Sequence, residues 1–531
     1  MTIRKHYVAM AVALALVSAC DSDDDDDAPS VAEQPEETVG GEPGETSPPQ
    51  GPTGESPSIT SDAYREADCA ELTDPVLIDS FGGEGSVECG VVTVPSDWDN
   101  PDEGTLSLAV YRVPSTSETP ASDPVVYLEG GPGGAGVGIV PDFVNGNAVY
   151  LRERGDVVVI DQRGTGYSQP ALYCPEVFEA EESEGDLLEA HRACHDRLVG
   201  EGIDFANFNS RFNALDVEAV RAALGYEAWN LYGLSYGTRL ALTVMRDSPG
   251  NVRSVVLDSV FPIEINGLSE SRYPIYWAIE QIAINCAADD DCSTEVGDIK
   301  AVIERGLERL DANPVGEFDA ESYLQIIGEN IAEEEFAGLA LLVANGSDEE
   351  LAEALAGDEE PEDELPPLTE VPPSYYPILA DTAEGMYYAV VCAEEAGFRD
   401  MTAGPDIAGD FSETTQRLVD AAFNSDEDFA LCDTVYTVPA VDSVEAEAVN
   451  SDIPTLVLAG TADLATPPPW SLQTSEALPN SQYVEFAGLT HGLIGNNECL
   501  NDITGAFLDD PDTTIDQSCV AGLGGVDYVF E

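Results

Sequence analysis

The sequence predicts an α/β protein with a mostly parallel central sheet and an inserted helical cap domain. Three observations carry this expectation. The runs Val125-Val126-Tyr127-Leu128 and Val157-Val158-Val159-Ile160 are apolar throughout, as strands buried on both faces of a parallel sheet must be. Helical spacing over 212–224 and 238–247 alternates with such runs, which is the pattern of helices packed on a sheet. Between Phe261 and Ser451 the pattern changes to apolar residues at helical spacing, as in Ile299, Val302, Ile303, Leu307 and Leu310. That block is too long for a simple crossover between strands.

Taken in order, the chain divides into segments 1–19, 20–62, 63–262, 263–450 and 451–531. The first has Arg4 and Lys5, then the apolar run 8–17, then Leu16-Val17-Ser18-Ala19-Cys20. This is the layout of an export signal, and its end resembles a bacterial lipobox. That resemblance implies cleavage before Cys20 and lipidation of its thiol, so the expected location is the cell envelope, with the membrane contacted through the lipid. The apolar run is too short for a preferred membrane span. Segment 20–62 holds an Asp run at 23–27, then Glu, Pro, Gly, Ser and Thr. With little apolar surface to offset the entropy of ordering, it reads as an acidic disordered tether. As a flexible coil it reaches roughly 35 Å.

The core segments follow. Residues 91–95 and 106–113 alternate and read as an antiparallel pair. After Val125–Leu128 comes Glu129-Gly130-Gly131-Pro132-Gly133-Gly134, and after Val157–Ile160 comes Asp161-Gln162-Arg163-Gly164-Thr165-Gly166. Further strands are expected at 229–234, 252–257, 455–459 and 482–486. Ten cysteines besides Cys20 form an even set, and in an exported chain they predict disulfides. Pairing of sequential neighbours gives Cys69–Cys89, Cys174–Cys194, Cys286–Cys292, Cys392–Cys432 and Cys499–Cys519. No Cys-x-x-Cys suggests a metal or redox site, and no cofactor is expected.

Charge narrows the function classes. The chain carries 103 acidic against 20 basic residues, a net charge of −83. No basic patch is available to meet phosphate, so nucleic-acid binding is disfavoured. Self-repulsion of this size destabilises a compact state in dilute salt and is screened in concentrated salt, which predicts a salt-adapted protein.

The chemistry centres on Gly233-Leu234-Ser235-Tyr236-Gly237. An apolar run before it and a helical segment after it make a strand, a sharp turn and a helix. Such a turn lifts the Ser235 hydroxyl clear of the sheet, where it can act as a nucleophile. A serine nucleophile needs a base, and the base an orienting acid. Of four histidines, His6 lies in the signal. His191 and His195 sit in a helical, Cys-flanked segment and read as structural surface histidines. His491, just after the last strand, is left as the base. Asp463, following strand 455–459, is the favoured acid, with Asp258 after strand 252–257 as the second choice. The order Ser235, Asp463, His491 is that of the α/β-hydrolases. Acyl transfer also requires two N–H donors facing the substrate oxygen. Tyr236 and Gly131 are placed to supply them.

At these residues the chain resembles the proline iminopeptidases and tripeptidyl aminopeptidases, serine exopeptidases of the α/β-hydrolase fold. The resemblance rests on Gly-Gly-Pro-Gly-Gly at 130–134, Asp-Gln-Arg-Gly-Thr-Gly-Tyr-Ser at 161–168, Gly-Leu-Ser-Tyr-Gly at 233–237 and Gly-Thr-Ala-Asp at 460–463. It implies peptide substrates, release of one to three residues from a free amino terminus, and a helical cap over the site. Glu129 stands where the proline iminopeptidases usually have His. An exopeptidase must also hold an ammonium group, and Glu129, Glu394 and Glu395 are the expected carboxylates. Two other readings use the same residues: a lipid-anchored carboxylesterase with the same triad, and a catalytically silent binding lipoprotein.

Overall fold

In a computed structural model the chain is described over residues 61–528, apart from positions 84, 184, 317, 330–332, 334, 356–372, 381, 401–407, 424, 525 and 527. The signal, Cys20 and nearly all of the tether lie outside the described residues. Nine strands form one sheet in the order β1-β2-β3-β5-β4-β6-β7-β8-β9. They are β1 (Tyr64–Ala67), β2 (Glu88–Pro95), β3 (Thr105–Val113), β4 (Val125–Leu128), β5 (Val157–Ile160), β6 (Trp229–Leu234), β7 (Val252–Asp258), β8 (Thr455–Gly460) and β9 (Ser481–Phe486). The β1–β2, β2–β3 and β3–β5 pairs are antiparallel, and all pairs from β5 to β9 are parallel. The expected antiparallel pair and parallel sheet are both present.

The central strands are fully buried because both faces are covered. Val126 and Leu128 of β4 pack into one apolar cluster with Leu231, Val255 and Val457. Their neighbours Val125 and Tyr127 face the other way, with Val159, Tyr232 and Leu456. Helix α1 (Leu187–Gly200), α2 (Ser210–Leu224) and α3 (Tyr236–Asp247) precede or follow β6. Asn209 caps α2, its side chain accepting from the Phe212 N–H, and Gly225 ends it in the left-handed conformation.

The insertion between β7 and β8 is helical, and its two parts bury different surfaces. Helices α4 (Tyr273–Ala288), α5 (Ile299–Ala312), α6 (Ala320–Glu329) and α7 (Phe336–Asn345) build an apolar cluster of their own. Ala462 and Leu464, which flank Asp463, join that cluster. By contrast α8 (Glu384–Glu394) and α10 (Asp426–Thr434) pack into the core beside the sheet, through Met386, Tyr388, Val390, Phe429 and Leu431. Helix α9 (Glu413–Ala422) belongs with the first group.

All five expected disulfides are formed: Cys69–Cys89, Cys174–Cys194, Cys286–Cys292, Cys392–Cys432 and Cys499–Cys519. One expectation fails. His191 is buried rather than at the surface; its Nδ1 lies 3.2 Å from the Tyr436 hydroxyl, and its ring meets those of Tyr388 and Tyr436 edge-on. Burial holds its pKa down at about 4. Among the described residues, no helix is long and apolar enough to cross a membrane.

Candidate active site

Ser235 sits between β6 and α3 with φ 57° and ψ −125°, one of two non-glycine residues of positive φ among the described residues. A bulky residue in that region costs energy, and the surrounding packing must hold it there. Here the holding groups are identifiable. The Ser235 N–H donates to the Asp258 carbonyl at 3.0 Å, and the Ser235 carbonyl accepts from the Thr238 N–H and hydroxyl at 2.8 and 2.6 Å. Gly237 permits the turn because a Cβ there would overlap the Leu128 carbonyl of β4.

The glycine loop lies directly against the nucleophile. A Cβ on Gly130 would come within 2.8 Å of the Ser235 Cβ and 3.3 Å of its hydroxyl oxygen. The Gly131 and Tyr236 N–H groups both lack a hydrogen-bond acceptor among the described residues. Tyr236 is fully buried and Gly131 is exposed; a buried backbone donor is ordinarily paired, and two N–H groups left free on either side of a serine hydroxyl fit an oxyanion site. The loop is held from behind: Gln162 donates to the Glu129 carbonyl at 2.8 Å and accepts from Asn213 at 2.6 Å.

His491 and Asp463 are brought together after β9 and β8. The His491 Nδ1 lies 2.9 and 3.0 Å from the two Asp463 oxygens. Asp463 is fully buried and also accepts from the Ala465 and Thr466 N–H groups and the Thr466 hydroxyl, at 2.8–2.9 Å. Thr466 was not singled out by sequence reasoning, although its place three residues after an acid in a turn is a usual one for such a bond. Burial disfavours the imidazolium of His491. The Asp463 carboxylate, with Asp258 and Glu129, outweighs that and leaves its pKa above the ordinary 6.5.

Asp258 has a different task from that of an orienting acid. Its carboxylate accepts from the Tyr232 hydroxyl at 2.7 Å and from the Leu493 and Ile494 N–H groups at 2.9–3.1 Å. It therefore fixes the loop that carries His491. The same loop approaches the nucleophile, with Gly492 donating to the Ser259 hydroxyl and lying beside the Leu234 side chain.

All three expected ammonium carboxylates already have hydrogen-bond donors inside the protein, which counts against that expectation. Glu395 is buried, forms a 2.8 Å ion pair with Arg239 of α3, and accepts from the Leu268 N–H at 2.9 Å. Glu394 accepts from the Ser210 N–H and hydroxyl at 2.6 and 2.9 Å. Glu129 accepts from its neighbour's N–H at Gly130, 2.8 Å, and from the Tyr127 hydroxyl, 3.2 Å. A fourth carboxylate, missed in the sequence, contrasts with these. Glu270 is 7% exposed, and no hydrogen bond or ion pair reaches its carboxylate among the described residues. Burial and the neighbouring Glu395 push its pKa up to about 7.

The elbow, the glycine loop and the acid–histidine pair all lie at the carboxyl edge of the parallel sheet, with the His491 loop reaching the elbow through Gly492 and Leu234. A family model described as "alpha/beta hydrolase fold" matches residues 123–298. The chain has the α/β-hydrolase fold. A second model, described as "TAP-like protein", matches residues 420–519, the part that holds Asp463 and His491. The serine protease Hip1 of Mycobacterium tuberculosis is 24% identical over 473 residues, covering 80% of this chain and 85% of that one. The tripeptidyl aminopeptidase of Streptomyces lividans is 31% identical over 189 residues, covering 33% of this chain and 35% of that one. Of the two names in the resemblance read from the motifs, tripeptidyl aminopeptidase is thus matched by a relative.

Proposed function

We propose that this chain is a serine exopeptidase that removes one to three residues from the free amino terminus of peptides through an acyl-enzyme. The observation that carries the reading is the pair of unpaired N–H groups, Gly131 and Tyr236, beside a strained serine, with His491 bonded to buried Asp463. The serine protease and tripeptidyl aminopeptidase relatives support it. With Nδ1 of His491 held by Asp463, Nε2 serves as the base. It takes the Ser235 proton as Oγ attacks the substrate carbonyl carbon. The oxygen that becomes negative is met by the Gly131 and Tyr236 N–H groups. Collapse breaks the peptide bond, and the leaving amine takes the proton from His491. Water then repeats the attack on the ester, releases the acid and regenerates Ser235.

The free amino end of the substrate is assigned to Glu270. That residue lies in the segment from Phe261 to Tyr273, which leads from the carboxyl end of β7 into the insertion. The segment starts two hydrogen bonds from the nucleophile: the Phe261 N–H donates to the Thr238 hydroxyl, which donates to the Ser235 carbonyl. Its far end stacks, as Tyr273, on Trp470 of the helix after the Asp463 loop. A buried carboxylate with no partner is costly, and a substrate ammonium relieves that cost. At the other end of the chain, the proposed location is a membrane surface reached through lipidated Cys20 and its tether.

The test compares an aminoacyl or tripeptidyl amide, its amino-acetylated form and a simple ester, using the wild type, Ser235→Ala and Glu270→Gln. The reading expects Ser235→Ala to lose several orders of magnitude on all three. It expects acetylation and Glu270→Gln each to lower kcat/KM for the amide about ten- to a hundredfold, sparing the ester. Equal cleavage of free and blocked substrates by both wild type and Glu270→Gln sinks the exopeptidase reading and leaves the esterase one. Full activity of Ser235→Ala sinks both.

A further inference from the structure

The two carboxylates at the end of α8 lie close to the nucleophile's helix and are engaged by groups of the protein itself. Glu394 accepts two hydrogen bonds from Ser210, the first residue of α2. The Ser210 hydroxyl, 3% exposed as a residue, lies 2.8 Å from the hydroxyl of Tyr236, which is fully buried. An ionised carboxylate can only accept. The Ser210 O–H therefore points at Glu394, and the Tyr236 O–H donates to Ser210. Burial pushes the Glu394 pKa up, while Arg239 and the two Ser210 donors favour its ionised form, and that form sets the direction of the whole chain.

The same helix reaches the other half of the oxyanion site. Ala383, which precedes α8, donates its N–H to the Gly133 carbonyl at 3.0 Å. A Cβ on Gly133 would lie 2.8 Å from the Thr382 side chain, so loop and helix start are in contact. One end of α8 thus holds the loop of the Gly131 donor. The other holds the side chain of the residue whose N–H is the second donor. The Cys392–Cys432 disulfide fastens that second end to α10.

We propose that Glu394 is a positioning residue for the reaction proposed above: through Ser210 it fixes Tyr236, and α8 as a whole sets the spacing of the two oxyanion donors. Tyr236 follows directly on the strained Ser235 and opens α3, so its N–H is outside the regular hydrogen bonding of both β6 and the helix. Anchoring its side chain is a further way to aim its N–H, beside the bonds that hold Ser235. The insertion, on this view, completes the catalytic site instead of merely covering it.

The experiment uses the full chain with Ser210→Ala, Ser210→Thr and Glu394→Gln, the three substrates named above, and a peptide aldehyde inhibitor. The aldehyde adds to Ser235 and places an oxyanion between the two donors. The inference expects kcat to fall about ten- to a hundredfold for Ser210→Ala and Glu394→Gln on free amide, blocked amide and ester alike, with KM nearly unchanged. Aldehyde affinity should fall by a similar factor, and Ser210→Thr, which keeps the hydroxyl, should restore most of the rate. A loss confined to free-amine substrates overturns the inference, because Glu394 then binds the ammonium. So does a fall in kcat with unchanged aldehyde affinity, or no fall in either variant. Should Glu394→Gln not fold, Ser210→Ala, a smaller change, decides alone. Ser235→Ala separates this inference from the reaction it rests on: if that variant is inactive while Ser210→Ala is normal, only the positioning role is lost.

Discussion

Ser235 and Asp258 are joined through the backbone, the Ser235 N–H donating to the Asp258 carbonyl at 3.0 Å. The Asp258 side chain meanwhile holds Leu493 and Ile494, just past His491. One residue at the end of β7 thus ties the nucleophile's turn to the histidine's loop. Asp258→Asn tests this. Whichever way the amide turns, its NH2 faces groups that donate to Asp258 now. Loss of such buried bonds costs about 1–3 kcal/mol. Denaturant midpoint and kcat should both fall, the latter at least tenfold; an active variant of unchanged stability removes Asp258 from this role.

The pH dependence follows from His491. The base must be neutral, so kcat/KM should rise with pH through the His491 pKa, with a midpoint above 6.5. Glu129 is one of the carboxylates that stabilise the imidazolium. Removing its charge in Glu129→Gln favours the neutral ring, so the acid limb should move to lower pH. A limb that stays in place or moves up contradicts the arrangement.

Glu270 gives a second pH signature. Its carboxyl ionises at about 7 in the folded protein, and an ammonium binds its ionised form. KM for free-amine substrates should therefore fall as pH rises through 7, while KM for blocked substrates stays level. Glu270→Gln should flatten the difference. The sign for stability is opposite: a raised carboxyl pKa makes the fold less stable as pH climbs past the unfolded value, and Glu270→Gln should lessen that decline in a melting series.

Thr466 bonds Asp463 twice, by N–H and hydroxyl, and its oxygen is 3.3 Å from the His491 Nδ1. Thr466→Val keeps shape and N–H but drops the hydroxyl. The carboxylate then turns more freely, and kcat should fall roughly ten- to a hundredfold with little change in KM. Wild-type kcat in this variant would show that the N–H bonds suffice.

Salt provides a prediction from composition alone. With 103 acids against 20 basic residues, screening should raise the melting temperature between low salt and about 1 M, where the Debye length is about 3 Å. A flat or falling melting temperature excludes salt adaptation.

The central strands and the elbow were legible because their signals are local: unbroken apolar runs, and glycines at a turn that excludes side chains. The disulfides were legible too, each closing a loop of 6 to 40 residues between sequential cysteines. Strand β1 was not, since Tyr-Arg-Glu-Ala is half polar and none of it is buried. The fates of Glu394 and Glu395 were hidden for another reason. Their partners Ser210 and Arg239 lie 184 and 156 residues away, and no periodicity in the chain encodes such a meeting. The burial of His191 depends on Tyr436, 245 residues on, and was hidden in the same way.

The placement of β8 and β9 at one edge of the sheet also orders events in time. The elbow, the glycine loop and β4 to β7 are made before residue 260. The contact that brings in the histidine loop, Leu493 to Asp258, spans 235 residues and closes only after the insertion has been synthesised. A nascent chain holding residues up to 450 has a serine and its oxyanion donors but neither base nor acid. On the proposed reading, cleavage therefore waits on the last strands to dock, and the chain stays harmless to its neighbours until they do.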